Sequence, residues 1–197
     1  MKKTKILVIA RKHIPEFLLI NGFSPAPKPI INSVIESPHL HFMDRDEAEN
    51  NPEFKQLIPY VVFKSPNGIF NYQRGKASSE SRLRSLRSLG IGGHIEEEDG
   101  DTGKASYLKG LWRELEEEVG IKHSPENIKL LGVINDDTNE VGKVHLGIVH
   151  LFNIESSNLE SKELNLIDCK FSNIEELNDS KDLFETWSSL LLPHITK

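Results

Sequence analysis

The chain has 197 residues, of which 37% are hydrophobic and 27% charged; these values are close to globular averages, so the chain can bury a proper core and is not wholly disordered. Its formal net charge of −6 argues against a nucleic acid polymer as the main partner, because binding to a phosphate backbone depends on clustered Lys and Arg. Small phosphorylated ligands remain compatible with this charge, since a bound divalent cation would mask the local acidity.

The first third of the chain is rich in proline and polar residues. Residues 6–10 contain mostly β-branched side chains and predict a short buried strand. Four prolines between residues 23 and 38 predict an irregular surface segment. The polar stretch 44–56 predicts a short helix that begins near Asp44 or Asp46.

The cysteine count and the apolar runs bear on the compartment. Cys169 is the single cysteine, so it cannot form a disulfide within the chain, which fits a reducing cytosol. The apolar run at residues 6–10 is too short for the core of a signal peptide, and no stretch approaches a membrane span. The sequence therefore predicts a cytoplasmic protein without a membrane partner.

Strand and turn signals become regular after the first 56 residues. Strands are predicted at residues 58–64 and 69–74, which are joined by a Pro-Asn-Gly turn. A further extended segment at residues 83–91 runs into a pair of glycines. We interpret residues 1–56 as an extension that packs on a main domain formed by residues 57–197.

The second half of the chain alternates helices and strands. A central helix is predicted at residues 105–119, and Gly120 follows it at the position where a left-handed cap is favoured. Strands are predicted at residues 128–135 and 143–154, joined by a polar stretch, and a C-terminal helix at residues 180–192 is stopped by a proline. This order predicts an α/β or α+β sandwich.

The central helix carries a cluster of carboxylates. At about 100° per residue, its leucines form an apolar stripe that predicts a core-facing side. Glu114, Glu117 and Glu118 fall on the adjoining flank, because spacings of three and four bring side chains together. Carboxylates gathered in this way repel one another unless a cation relieves the cost, and hard oxygen ligands suit Mg²⁺ or Mn²⁺. The alternative is an ordinary solvated face in a chain with 30 acidic residues.

The residues around this helix match a known pattern. Positions 113–121, Arg-Glu-Leu-Glu-Glu-Glu-Val-Gly-Ile, fit the motif R-E-U-x-E-E-x-G-U at every defined position. Upstream, Gly92-Gly93-His94-Ile95-Glu96 is similar to the usual opening of that motif. On these residues the chain resembles the Nudix hydrolase (MutT-like) family, and the resemblance covers roughly residues 57–192.

The chain departs from the family pattern in one place. In the full motif, G-x5-E-x7-R-E-U-x-E-E-x-G-U, the first Gly precedes the Arg by 14 positions, whereas Gly93 precedes Arg113 by 20, so the intervening loop is six residues longer. This leaves the first acid of the motif open. Counting from Gly93 indicates Asp99, with Glu98 beside it, and counting back from Arg113 indicates Ala105.

The resemblance implies a Nudix α/β/α sandwich around a mixed β-sheet, and hydrolysis of the diphosphate bond in a nucleoside diphosphate linked to another moiety, X. It implies that Glu114, Glu117 and Glu118 bind Mg²⁺, or Mn²⁺ in its place, with the Gly93 carbonyl as a further ligand. It also implies that Arg113 orients a carboxylate through a bidentate pair. Many relatives pair as homodimers, so a second copy of the chain is one expected partner.

Hydrolysis requires a carboxylate that takes a proton from the attacking water. In the family this base is a glutamate of the motif, here Glu117 or Glu118, or an acid on a later loop. Our candidate on the later loop is Glu140, with Asp136 and Asp137 behind it. The alternative for these three acids is an ordinary polar loop between two strands.

Candidate substrate contacts lie before and within the glycine pair. The arginines that precede it are candidate bidentate donors to phosphate, with a solvated surface as the alternative: Arg74, Arg82, Arg84 and Arg87. Arg84 and Arg87 are the pair selected for testing. Gly92 and Gly93 let the backbone approach the ligand. His94 is a candidate phosphate contact, with simple backbone placement as the alternative.

Three functions are compatible with these observations. The leading hypothesis is an enzyme that cleaves a diphosphate bond. A rival from another class is a non-catalytic Nudix-like domain that senses or binds a nucleotide; the intact glutamates argue against it, and the lengthened loop argues for it. An isomerase with the same fold and metal is the third hypothesis, although the sequence contains no dedicated acid or nucleophile for that reaction.

Overall fold

The structure is a computed structural model of the chain, and it describes residues 4–75, 86–155, 159, 161–162 and 166–195. Within these residues, ten strands form one sheet. The strands are β1 (Lys5–Ala10), β2 (Gly22–Pro25), β3 (His41–Asp44), β4 (Phe54–Ser65), β5 (Gly68–Arg74), β6 (Arg87–Ser88), β7 (Gly90–Ile91), β8 (Ile128–Asn135), β9 (His145–Asn153) and β10 (Leu166–Ser172). The helices are α1 (Lys28–Ile35), α2 (Arg45–Ala48), α3 (Lys104–Val119), α4 (Glu140–Val144), α5 (Ile174–Asp179) and α6 (Thr186–Ile195).

Strand β4 organises the sheet. It runs parallel to β9 over nine residue pairs, from Gln56 opposite His145 to Lys64 opposite Asn153. The main path of the sheet is β10-β5-β4-β9-β8-β2, while β1 and β7 also pair with β4, β3 pairs with β1, and β6 pairs with β5. The other strand pairs are antiparallel, for example β1–β4 and β8–β9. The predicted mixed sheet is confirmed.

Helices cover both faces of the sheet, and β4 is therefore buried on both sides. Val61 and Phe63 point into the core under α1 and α3, while the alternate residues Tyr60 and Val62 point into the core under α6. This two-residue alternation explains why the strand is almost continuously apolar. The predicted α/β/α sandwich is confirmed.

The central helix is confirmed as α3, with its start one residue earlier than predicted. Leu111 and Leu115 are buried, as the apolar stripe requires. Gly120 adopts φ 70°, and its N–H donates to the Glu116 carbonyl at 3.1 Å, which satisfies one of the last helical carbonyls. The helix therefore ends at Val119, one residue after Glu118, and its acidic flank is held at a fixed position above the sheet.

The irregular segment predicted at residues 23–38 is wrong. Half of it forms α1, whose Ile31, Val34 and Ile35 are buried against the core that α3 also covers. The prolines mislead because Pro27 and Pro29 lie at the start of the helix, where a missing N–H costs nothing.

The C-terminal helix begins later than predicted. Residues 181–183 form a short 3-10 helix, and α6 starts at Thr186. Glu185 sets that start, because its carboxylate accepts hydrogen bonds from the N–H groups of Trp187 at 2.8 Å and Ser188 at 3.0 Å. Pro193 lies within the helix and does not stop it, which is a second correction.

The other predicted elements are confirmed in outline, including β1, the short helix α2 after Asp44, and the strands β4, β5, β8 and β9. Besides α1, five helices and strands were not predicted: β2, β3, α4, β10 and α5. The segment predicted at residues 83–91 contains β6 and β7 in its described part. The division at residue 56 stays a prediction. No helix in the described ranges is long and apolar enough to cross a membrane.

Candidate functional site

Arg113 is the centre of the site, and all five of its N–H donors are used. Its Nε donates to Asp99 Oδ1 at 3.0 Å and its Nη2 to Asp99 Oδ2 at 2.9 Å, which is the bidentate pair expected for this arginine. Nη2 also donates to the His94 carbonyl at 2.9 Å, and Nη1 donates to Glu114 Oε1 at 2.7 Å and Glu117 Oε2 at 3.3 Å. These bonds, above all those to Asp99, raise the pKa of Arg113, so it is always charged.

The lengthened loop places Asp99, and not Ala105, against this arginine. Residues 97–99 form a 3-10 helix in which Asp99 accepts from the Glu96 N–H at 2.9 Å, and the Asp99 side chain is 2% exposed. Gly110 makes room for it, because a Cβ at that position would lie 2.6 Å from Asp99 Oδ2. The acid sought before the helix is therefore Asp99, the residue obtained by counting from Gly93.

Glu114 packs against the glycine turn. A Cβ at Gly93 would overlap the Glu114 carboxylate, so this close approach of side chain to backbone requires glycine. The Glu114 side chain is 15% exposed, and burial raises the pKa of its carboxyl despite the hydrogen bond from Arg113. The Gly92 backbone is equally crowded, since a Cβ there would overlap the Pro59 carbonyl.

Glu117 and Glu118 lie one turn further along the same flank. The Glu117 side chain is 56% exposed, so its carboxylate can reorient at little cost. Glu118 is half-buried, and its charge acts on Tyr72 and Arg74 at the end of β5. The three glutamates named from the sequence thus follow the acidic flank from the glycine turn toward β5.

The donor set fits a hard divalent cation. It consists of carboxylates, one of which is fixed against a backbone turn, and the opposing charge among these groups is that of Arg113. In the described residues, no three His, Cys, Asp or Glu side chains are already gathered around one point as a metal site. A cation would therefore draw in the exposed Glu117, and this rearrangement would relieve the repulsion between the glutamates.

His94 does not present a cation to a phosphate group. Its Nε2 lies 2.8 Å from Gln56 Oε1 and 3.4 Å from His145 Nε2, and burial lowers its pKa to about 3. The ring is neutral and packed under the turn, which favours the alternative that this residue only places the backbone. The two histidines of β9, His145 and His150, do not form a common binding site. The His150 ring is instead hydrogen-bonded to the Tyr107 hydroxyl at 2.8 Å.

Arg87, which the sequence selects as a substrate contact, is engaged in a network of structural hydrogen bonds, and its contact with substrate stays a prediction. Its guanidinium is buried and donates to Asn71 Oδ1 at 2.8 Å, to the Asp168 carboxylate and to the Asp168 carbonyl at 3.0 Å. These bonds tie β6 to β5 and β10. Arg84 and Arg82 lie outside the described residues.

The acids of the later loop are divided between structure and surface. Asp136 is buried and accepts from Thr138 and Asn139 in its own loop. Asp137 accepts from Arg11 Nη2 at 2.7 Å and from the buried Lys55 Nζ at 2.8 Å. The alternative of a structural loop is therefore favoured for both aspartates. Glu140 is 88% exposed and pairs with Lys143 at 2.6 Å, so its catalytic role stays a prediction.

We expect Asp137→Asn to destabilise the fold by about 2–4 kcal/mol, because it leaves the fully buried Lys55 ammonium without its counter-ion. Partial burial acts to raise the pKa of Asp137, but the hydrogen bonds from Arg11 and Lys55 hold it below its usual range. Its stabilising contribution is thus present above the unfolded pKa of about 3.9 and is lost as the pH falls. Urea unfolding of both proteins should show a gap at pH 7 that narrows below about pH 4.

The matched control is Glu140→Gln, which removes an exposed carboxylate from the same loop. It should leave the unfolding free energy within about 0.5 kcal/mol of the wild-type value. Equal stability of Asp137→Asn and the wild type would contradict the structural role of Asp137.

Comparisons with known proteins identify one relative by its sequence and another by its structure. Protein YmaB of Bacillus subtilis (strain 168) is 42% identical over 155 residues, which cover 76% of the chain and 75% of that protein. The crystal structure of Tm1382, a protein proposed to be a Nudix hydrolase, gives a TM-score of 0.82 at 33% identity over 98% of each chain. No protein-family model matches the chain.

A more distant similarity extends to the fold alone. The NUDIX domain of Shewanella oneidensis NrtR, crystallised with ADP ribose, has a TM-score of 0.52 at 15% identity, and the match covers 70% of this chain and 83% of that one. A NUDIX hydrolase from Alicyclobacillus acidocaldarius has a TM-score of 0.56 at 10% identity, covering 72% of this chain and 91% of that one.

Proposed function

The chain belongs to the Nudix hydrolase family and is a phosphoanhydride hydrolase, and from this premise we propose that it cleaves the diphosphate bond of a nucleoside diphosphate linked to a further moiety, X, with Mg²⁺ as its cofactor. Mn²⁺ is the alternative metal. The observation that carries the proposal is the position of Glu114, which Arg113 and Asp99 hold against the Gly93 backbone at the head of the acidic flank.

The cation is proposed to bind Glu114, Glu117 and Glu118, with the Gly93 carbonyl as a further ligand. When bound, it lowers the pKa of a water molecule and neutralises charge on phosphate oxygens. The support is the hard oxygen donor set and the packing of the Glu114 carboxylate on Gly93, an approach that any larger residue at position 93 would prevent.

The remaining catalytic roles are assigned to individual side chains. Arg113 is a positioning residue, because its donors are used by Asp99, by Glu114 and Glu117, and by the His94 carbonyl. Glu117 and Glu118 remain to accept the proton from the attacking water, and the exposed Glu117 has the freedom to do so. Glu140 is the second candidate base, since it is exposed at the start of α4, before β9.

Hydrolysis is tested with a panel of diphosphates in the presence of Mg²⁺. ADP ribose is the first compound to test, because the NUDIX domain of NrtR binds it in its crystal structure. We expect cleavage that releases AMP, disappears on addition of EDTA, and returns with Mg²⁺ or Mn²⁺. A panel of sugar nucleotides, dinucleotides and nucleoside triphosphates would then identify X.

The rival function is recognition of a nucleotide without hydrolysis. Tight, metal-independent binding of one panel member, with no turnover of any member, would support this rival and overturn the proposed hydrolysis. The cytoplasmic location and the homodimer also belong to the proposal. The cytoplasmic location is supported by the single, half-buried Cys169. The homodimer is tested by measuring the mass of the protein in solution.

A further inference from the structure

Arg74 lies at the end of β5, on the face that packs under the acidic helix. Alternate residues of a strand share a face, so Arg74 is on the same side as Phe70 and Tyr72. Both aromatic side chains belong to the core that includes Leu115 of α3. Arg74 is thus the next residue outward along this face, where the charge of Glu118 on α3 acts on it.

Within the described residues the Arg74 guanidinium has no ion pair, in contrast to the other arginines there. Arg11, Arg45, Arg87 and Arg113 each pair with a carboxylate within 4 Å. Among the described residues Arg74 has no such partner, and its buried Nε atom has no hydrogen-bond acceptor. Its guanidinium carbon lies 5.9 Å from the centroid of the Tyr72 ring, which is a weak contact.

The two nearby carboxylates do not fill this position. The charges of Glu185 and Glu118 act on Arg74, but Glu185 already accepts from the Tyr60 hydroxyl, from two backbone N–H groups and from Ser188. Glu118 belongs to the proposed metal site. A buried Nε atom without a bonded partner is costly, so it calls for an explanation, and a bound ligand would supply one. The planar fork of arginine matches the oxygens of a phosphate group.

We propose that Arg74 binds the diphosphate group of the substrate, next to the acidic flank of α3. The proposal deepens the proposed function and rests on it. Arg74 and the glutamates then meet the substrate from two sides: the glutamates on α3 through the cation, and Arg74 on β5 through direct hydrogen bonds. Because a guanidinium recognises phosphate oxygens and no base or sugar, it would act on all members of the substrate class.

The proposal is tested by equilibrium binding of two non-hydrolysable probes with Mg²⁺, methylenediphosphonate and α,β-methylene-ADP. In Arg74→Gln we expect the Kd for both probes to rise by about 10- to 100-fold, the range for a lost charge-assisted hydrogen bond. Arg74→Lys keeps the charge and loses the fork, so its Kd should be intermediate. The matched control is Arg45→Gln, which removes an exposed arginine paired with Glu49 and should leave both Kd values unchanged.

Thermal unfolding separates binding from a structural role. Arg74→Lys keeps the charge on which Glu185 and Glu118 act, so its Tm should match the wild-type value, and a rise in its Kd without a fall in Tm would exclude a structural cause. Wild-type affinity of Arg74→Gln and Arg74→Lys for methylenediphosphonate would overturn the proposal. Weaker binding of α,β-methylene-ADP alone would also overturn it, because the contact would then be to the nucleoside. Since neither probe is hydrolysed, absence of turnover in the substrate panel would count against the proposed function only.

Discussion

Glu117→Gln should lower kcat for diphosphate hydrolysis by about a thousand-fold, because it removes both a metal ligand and the candidate base in one change. The substitution keeps the shape of the side chain and removes its charge. Since the Glu117 side chain is 56% exposed, stability should change by less than about 0.5 kcal/mol. The measurement is kcat with saturating Mg²⁺ and substrate, together with urea unfolding of the same preparation.

The helix offers a matched control in Glu116. It is exposed, lies one residue away, and points off the acidic flank. Glu116→Gln removes the same charge from the same helix turn and should retain kcat within about two-fold, since it leaves every proposed ligand in place. If Glu117→Gln keeps full activity, or if Glu116→Gln loses as much, the assignment of the flank is wrong.

Asp99→Asn should reduce both stability and activity, which distinguishes it from Glu117→Gln. The Asp99 carboxylate is buried and carries two of the five hydrogen bonds of Arg113, so its neutralisation should cost about 2–4 kcal/mol of unfolding free energy. Arg113 also holds Glu114, so kcat should fall by about 10- to 100-fold through misplacement of that ligand.

The control for Asp99 is Glu98→Gln. Glu98 is the exposed neighbour in the same short helix, and counting along the chain alone cannot separate the two acids. Both the kcat and the unfolding free energy of Glu98→Gln should match the wild-type values. Loss of activity in Glu98→Gln, with a normal Asp99→Asn, would show that the lengthened loop places its other acid in the site.

Sequence reasoning succeeds at the site where the signals are local. The period of the apolar residues and Gly120 define α3, and the spacing of Glu114, Glu117 and Glu118 follows from the geometry of the helix itself. The glycine turn is defined equally well, although the reason for Gly93 is visible only in the structure. That reason is the Glu114 carboxylate, which occupies the place of a side chain at position 93.

Sequence reasoning does not reveal partners that are distant along the chain. Arg87 resembles a free substrate contact until Asp168 and Asn71 are brought to it by β10 and β5. Asp137 resembles a candidate base until Lys55 and Arg11 arrive from the first third of the chain. Arg74 is the opposite case. Its lack of an ion pair among the described residues cannot be seen in the sequence, because it depends on which carboxylates the fold has already satisfied.

The most direct test of the account is the position of Mn²⁺ in crystals of the full chain, located by its anomalous scattering. We expect an anomalous peak at about 2.0–2.3 Å from carboxylate oxygens of Glu114, Glu117 and Glu118, beside the Gly93 carbonyl. The same crystals of Glu117→Gln should show a weaker peak or none. A strong peak elsewhere, or an empty flank at millimolar Mn²⁺, would contradict the assignment of this helix as the metal site of the enzyme.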